Sequence, residues 1–187
     1  MRFRLLMAIV GVTLALALAV TAAACGDDDD DDTNGDGATN APDAAAYFTD
    51  VDRIQNALTT HLDDIEEQSD TAYGDPQKAQ VSLSAAKSAG EGAVTDLEAL
   101  EAPSVAATAH ADLLAGSEAL ISALDGMIAG LEGIDEAGPE YSDWLADVAQ
   151  PDSEYSLAAD QLREACAGMQ DAVDNSPVKD IVYQCPI

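Results

Sequence analysis

The stretch SVAATAHADLLAGSEALISALDGMIAGLEGI, residues 104–134, carries the longest regular repeat in this 187-residue chain. Its repeated positions are separated alternately by four and three residues, a spacing that places them on one face of a helix. These positions are Ala106, His110, Leu113, Ser117, Leu120, Leu124, Met127, Leu131 and Ile134. Because a repeat close to 3.5 residues favours shallow, left-handed crossing of neighbouring helices, the stretch predicts a long helix in a bundle.

Three further stretches, residues 43–68, 76–101 and 152–174, show similar helical spacing. The inward stripe of the first contains Tyr47, Val51, Ile54, Leu58, His61 and Ile65, and that of the last contains Tyr155, Ala158, Leu162, Cys166, Met169 and Val173. Asp75 followed by Pro76 is typical of a capped helix start. Residues 140–149 predict a short helix whose Trp144 and Leu145 cover one end. Strand signals are nearly absent, so the predicted fold is all-α: an antiparallel four-helix bundle with a short extra helix between the third and fourth helices.

The first 24 residues have the three parts of a secretory signal. Arg2 and Arg4 supply positive charge, residues 5–20 are almost entirely apolar, and residues 22–24 are small. Two alternatives stay open. The apolar stretch is about long enough to remain as a transmembrane helix, and ordinary cleavage after Ala24 would release a soluble secreted protein.

The chain contains three cysteines, Cys25, Cys166 and Cys185, and an odd number in an exported protein needs an explanation. Cys25 follows the small residues that end the signal, and this stretch resembles the lipobox of bacterial lipoproteins. Lipid on Cys25 leaves Cys166 and Cys185 to form a disulfide. In an oxidising compartment that bond closes a loop of about 20 residues, worth about 3 kcal/mol in the loop-entropy model. We therefore expect an extracytoplasmic protein held at the membrane by a lipid on Cys25.

The acidic composition restricts the possible partners. Residues 25–42 include six consecutive aspartates and predict a disordered linker between the signal and a helical domain at 43–187. Without residues 1–24 the chain has 36 acids and 5 bases, a net charge of −31. Such a surface repels phosphate backbones and excludes nucleic-acid binding. Cationic partners, divalent metals, a salt-rich environment or simple solubility are all compatible with it.

One candidate metal site lies in the linker. Asp32, Asn34 and Asp36, with Asp43 at the twelfth position, match the oxygen-ligand spacing of an EF-hand calcium loop. Against this hypothesis, no helix is expected before Asp32, and the twelfth residue is Asp where Glu is usual. We therefore expect no cofactor, and a bound calcium ion is the alternative.

A second candidate uses the only two histidines. His61 and His110 are expected to lie about 18 Å apart along the bundle, too far to share one ion. Each is expected to be a boundary or core residue with one hydrogen-bond partner. His61 with Met127 or Met169 would be a possible haem ligand pair, with Met127 at about the right depth, although no covalent haem-attachment motif is present. No catalytic constellation is visible either, so we do not expect an enzyme.

Two local features of the helical domain contribute to a resemblance between this chain and a group of known proteins. One is the helix–proline–helix turn LEALEAP at residues 97–103, followed by His110 and residues 113–114, and the other is the pair Cys166 and Cys185. With the lipobox and the acidic tether, the chain resembles uncharacterised bacterial lipoproteins with a small helical-bundle domain. The resemblance implies fold and location only. We expect a non-enzymatic domain that binds an unknown protein or cationic partner or organises the envelope; the alternative is a bundle that binds a small ligand, calcium or haem.

Overall fold

The structure is a computed structural model, and it describes residues 41–69, 74–176 and 178. These residues form five α-helices and no strand: α1 Ala41–Ser69, α2 Pro76–Glu98, α3 Ala107–Gly130, α4 Pro139–Val148 and α5 Glu154–Asp174. The predicted all-α class is therefore confirmed, with four long helices and one short helix in the expected order. The predicted signal, residues 1–24, and most of the predicted linker lie outside the described residues.

Capping residues explain where the helices begin. Asp75 has an extended backbone conformation, and its carboxylate accepts hydrogen bonds from the backbone N–H groups of Gln77 at 3.1 Å and Lys78 at 3.2 Å. Those two groups have no partner within the helix, so the carboxylate stabilises the first turn of α2. At α5 the hydroxyl of Ser153 performs this role for Ser156 N–H. The helix therefore begins two residues later than predicted, because Ser153 caps it.

Neighbouring helices run antiparallel. On α2 and α3, Lys87 pairs with Asp125, whereas Gly90 lies against Ile121. From the first contact to the second, the residue numbers rise on α2 and fall on α3, so the two helices run in opposite directions. By the same criterion α5 runs antiparallel to α3, because Gly116 contacts Leu162 and Gly126 lies beside Glu154. Helix α3 thus lies between α2 and α5, and α1 packs against α2.

The largest core cluster joins the first half of α1 to the end of α2, the first half of α3 and the second half of α5. It contains Ala44, Tyr47, Phe48, Val51, Ile54, Leu97, Ala106, Ala109, Leu113, Leu162, Cys166, Met169, Ala172 and Val173. Phe48, Val51, Leu113, Met169 and Val173 are its largest fully buried side chains. This end of the molecule, which we call the upper end, therefore holds most of the apolar area whose burial stabilises the fold.

The inward stripe predicted for α1 is only half correct. Tyr47, Val51 and Ile54 of this stripe are buried, Leu58 and Ile65 are half-buried, and His61 is exposed. The predicted inward position of His61 was therefore wrong.

Helix α3 is apolar around much of its circumference, because α2 and α5 cover it from two sides. By length and composition it is also the one helix in the described ranges that could cross a membrane. This finding is weak evidence for a membrane span, since a core helix passes the same test. In this structure 22% of the apolar 18-residue window of α3 is buried.

Helix α4 lies at the lower end of the molecule, as predicted. Tyr141 is buried, and its ring stacks on Trp144 with centroids 5.6 Å apart. The indole of Trp144 lies against Gly130, the last residue of α3. Burial raises the pKa of Tyr141, and the negative charge of Asp75 adds to this effect. Because Asp75 caps α2, this interaction indicates that α4 lies close to the start of α2. The main buried residue of this helix is Tyr141, while Trp144 and Leu145 are half-buried.

Candidate functional site

The clearest polar arrangement in the core is a pair formed by Tyr47 on α1 and His110 on α3. The phenol oxygen of Tyr47 lies 2.8 Å from Nδ1 of His110, a normal hydrogen-bond distance. The two rings meet edge to face with centroids 5.8 Å apart, and the Phe48 ring packs on Tyr47 in the same manner at 5.3 Å. The pair therefore links the two helices through one hydrogen bond inside an aromatic cluster.

Burial determines the protonation state of this pair. Tyr47 is 5% exposed, and burial raises the pKa of its phenol well above the ordinary value. His110 is half-buried, and burial lowers the pKa of its imidazole. Both effects disfavour the charged forms, so the phenol keeps its proton and the imidazole is neutral at pH 7.

The proton positions follow from these states. If Nδ1–H donated to Tyr47, the phenol O–H would need another acceptor in a buried place, which is unfavourable. We therefore assign Tyr47 O–H as the donor and Nδ1 of His110 as the acceptor, with the imidazole proton on Nε2. The prediction that His110 is a boundary residue with one hydrogen-bond partner is confirmed. The pair can gain one proton, at His110.

The surface is acidic on every helix. Among the basic side chains that the structure describes, Arg53 pairs with Asp50 at 3.2 Å, and Arg163 pairs with Asp160. Lys87 lies 2.7 Å from Asp125 on α3, and this contact raises the pKa of the lysine. Such exposed pairs add little to stability. Each of these three basic side chains is paired with a carboxylate, and in the part of the chain that the structure describes the acidic side chains far outnumber the basic ones.

A shallow cavity of about 350 Å³ opens at the lower end, in the turn between α3 and α4. It is lined by Ile134, Asp135, Glu136, Gly138, Pro139 and Glu140. Within this turn Gly133 adopts a φ of +85°, a backbone conformation that residues with a Cβ atom rarely take. Within the described ranges, no group of three His, Cys, Asp or Glu residues is arranged to hold a metal ion.

The predicted site residues are distributed as follows. Cys166 is buried in the upper core, while Cys185 lies outside the described residues, so the Cys166–Cys185 disulfide stays a prediction. Cys25, Asp32, Asn34 and Asp36 also lie outside them, and Asp43 is the third residue of α1. His61 is exposed on α1, and Met127 is half-buried on α3. The calcium and haem hypotheses remain predictions.

The two histidines are separated as expected. His110 is level with Tyr47, which precedes His61 by fourteen residues on α1, or about 21 Å of helix. The pairing of Tyr47 with His110 was not predicted. A signal for it existed, because each residue stands near the start of an inward stripe, and those two helices begin at the same end.

No protein-family model matches this chain, and comparisons with curated proteins and with solved structures also found no match. The functional proposals below therefore rest on the residues and their geometry.

Proposed function

We propose that this chain is a lipoprotein displayed outside the cytoplasm, anchored to the membrane through Cys25, and that its helical domain binds a cationic partner without catalysis. In this proposal the four long helices form an antiparallel four-helix bundle. The Cys166–Cys185 bond secures the segment after α5. The observation that carries the proposal is the uncompensated acidic surface: residues 44–187 contain 28 acids and 5 bases.

The location of the charges supports binding to an extended positive surface. Acidic side chains are exposed on all five helices, including Asp63, Asp64, Asp143 and Asp160. Carboxylates spread over a rigid helical surface create a negative potential that attracts positively charged molecules from a distance. At an interface, such complementarity contributes mainly to the rate of association and to the choice of partner.

The display on the membrane is tested by the intact mass of the protein purified from its host. The expected mature chain lacks residues 1–24 and carries acyl groups on Cys25. A Cys25→Ser variant should lose the acyl mass and leave the membrane fraction. A chain that retains residues 1–24, or that has an unmodified Cys25, would refute this part of the proposal.

The partner is tested by coupling carboxylates directly to amines in native membranes with a carbodiimide, a reagent that adds no spacer. We expect crosslinks from exposed acids of the helices to lysines of one protein, with yields that fall at high salt because screening weakens exposed charge pairs. Crosslinking that is insensitive to salt, or that spreads over unrelated proteins, would contradict a specific cationic partner. Because this measurement does not depend on Cys25, it is independent of the anchoring test.

A further inference from the structure

Helix α1 is held to the core by only half of its length. The core residues on α1 run from Ala44 to Ile54, and Gln55 is the last buried side chain among residues 44–67, the part of this helix whose side chains are described. Beyond it the side chains are half-buried or exposed, and α1 keeps α2 as its main neighbour. The attachment of α1 to α3 and α5 therefore depends on about three turns.

The Tyr47–His110 hydrogen bond lies in the middle of this attached segment. With Nδ1 as the acceptor, the bond exists only while His110 is neutral. Protonation places a hydrogen on Nδ1, directly opposite the phenol hydrogen of Tyr47. One of the two buried donors must then lose its partner, or the rings must separate.

The charged groups at this end do not replace that interaction. They are Asp50, Asp52 and Arg53 on α1, Asp96 and Glu98 at the end of α2, Glu101 after it, Asp112 on α3, and Asp171 and Asp174 on α5. Asp52 accepts a hydrogen bond from Asn56. Asp50 is already paired with Arg53, and the carboxylates of α2, α3 and α5 are exposed. Burial lowers the pKa of His110, so a positive charge on its imidazole is disfavoured while the segment is attached.

We propose that Tyr47 and His110 form an acid-sensitive latch, in which protonation of His110 releases residues 44–55 of α1 from α3 and α5. The released segment directly follows the predicted linker. Mild acid would thereby loosen the junction between the linker and the domain. Helices α3 and α5 also contact each other below the latch, from Gly116 and Leu162 to Gly126 and Glu154, and these contacts hold them together.

Linkage sets the direction of the pH dependence. Because burial lowers the pKa of His110 in the folded state, the released segment binds the proton more tightly than the attached segment does. Attachment is therefore complete above the ordinary histidine pKa of about 6.5 and weakens as the pH falls through and below it.

Hydrogen exchange measured by mass spectrometry on the whole protein tests the latch. Rates are converted to protection factors, which removes the intrinsic effect of pH on exchange. Between pH 7 and pH 5, protection of residues 44–55 should fall, while that of α3 and α5 should not change. His61 provides the matched control, since it is exposed on the same helix: His61→Gln should keep the fall, and His110→Gln, a neutral acceptor, should abolish it.

Tyr47→Phe is the second variant, because it keeps the ring and removes the O–H donor. It should lower protection of residues 44–55 at pH 7 and reduce the further loss at pH 5. The latch is overturned if His110→Gln keeps the pH-dependent loss, if His61→Gln abolishes it, or if all helices lose protection together. The result is independent of any partner or lipid, so it neither supports nor weakens the proposed function.

Discussion

Gly116 on α3 lies close to the backbone of Leu162 on α5, and replacing this glycine by alanine should push the two helices apart. A Cβ atom at this position would lie 2.9 Å from Cα and 3.3 Å from the backbone nitrogen of Leu162. Carbon atoms in contact prefer separations of about 3.5–4.0 Å. The obstacle is backbone, which cannot rotate away as a side-chain tip can, so the helices must separate by about 0.6–1 Å. Overpacking of this kind typically costs about 1–3 kcal/mol.

Gly92→Ala is the matched control. Gly92 lies within α2, and a Cβ atom there would meet nothing within 4 Å. Both substitutions bring the same gain in helix propensity, about 1 kcal/mol, so the difference between the two variants isolates the steric cost. In a domain of this size, a loss of about 1–3 kcal/mol in the free energy of unfolding lowers the midpoint of thermal unfolding by roughly 2–12 °C.

The assay is thermal and urea unfolding followed by the helical circular dichroism signal. We expect Gly92→Ala to be slightly more stable than the wild type, and Gly116→Ala to be clearly less stable than Gly92→Ala. The slope of the urea transition should be unchanged if only stability is affected. If the two alanine variants prove equally stable, α3 and α5 are not in backbone contact at Gly116, and the packing described above is wrong.

Four further predictions concern the core, a cap, the disulfide and the proposed ligands. Phe48 is fully buried, so Phe48→Ala should cost about 3–5 kcal/mol in urea unfolding, whereas Val81→Ala, at a position 71% exposed, should change stability by less than about 0.5 kcal/mol. Asp75→Ala should cost about 1 kcal/mol in the same assay, because two N–H groups of α2 lose their acceptor, and an Asp75→Asn variant should retain most of the stability. Thiol titration of the denatured, unreduced protein should find neither Cys166 nor Cys185 free, and reduction should lower stability by about 3 kcal/mol; free thiols would exclude the bond. Calorimetry with calcium and an absorption spectrum of the protein from its host should show no binding heat and no haem band, and either signal would favour the alternative function over the proposed one.

Helix type and order were predictable because the signals are local. A helix brings residues three and four positions apart onto one face, so the repeat can be recognised without knowledge of any neighbour. The same holds for Asp75 and Pro76, which start α2 where they were expected to. Helix ends were less predictable. The stripe of residues 104–134 continues past both ends of α3, because apolar residues also pack in the turns that follow a helix.

The depth of each side chain was not predictable in the same way. His61 and His110 both lie on predicted inward stripes, yet one is exposed and the other is packed against Tyr47. The difference depends on which part of each helix the rest of the core covers. Tyr47 and His110 are 63 residues apart in the chain, so no local pattern contains that information.

The residues alone determine that this chain makes helices, where most of them begin, and that its surface is strongly acidic, since all three depend on side chains close together in the chain. The tertiary structure alone determines that α1 is anchored by its first half, that Gly116 lies against the backbone of Leu162, and that Tyr47 and His110 share a hydrogen bond. These contacts join segments that are distant in the chain. They depend on helix lengths and relative levels, which are set when the whole core packs.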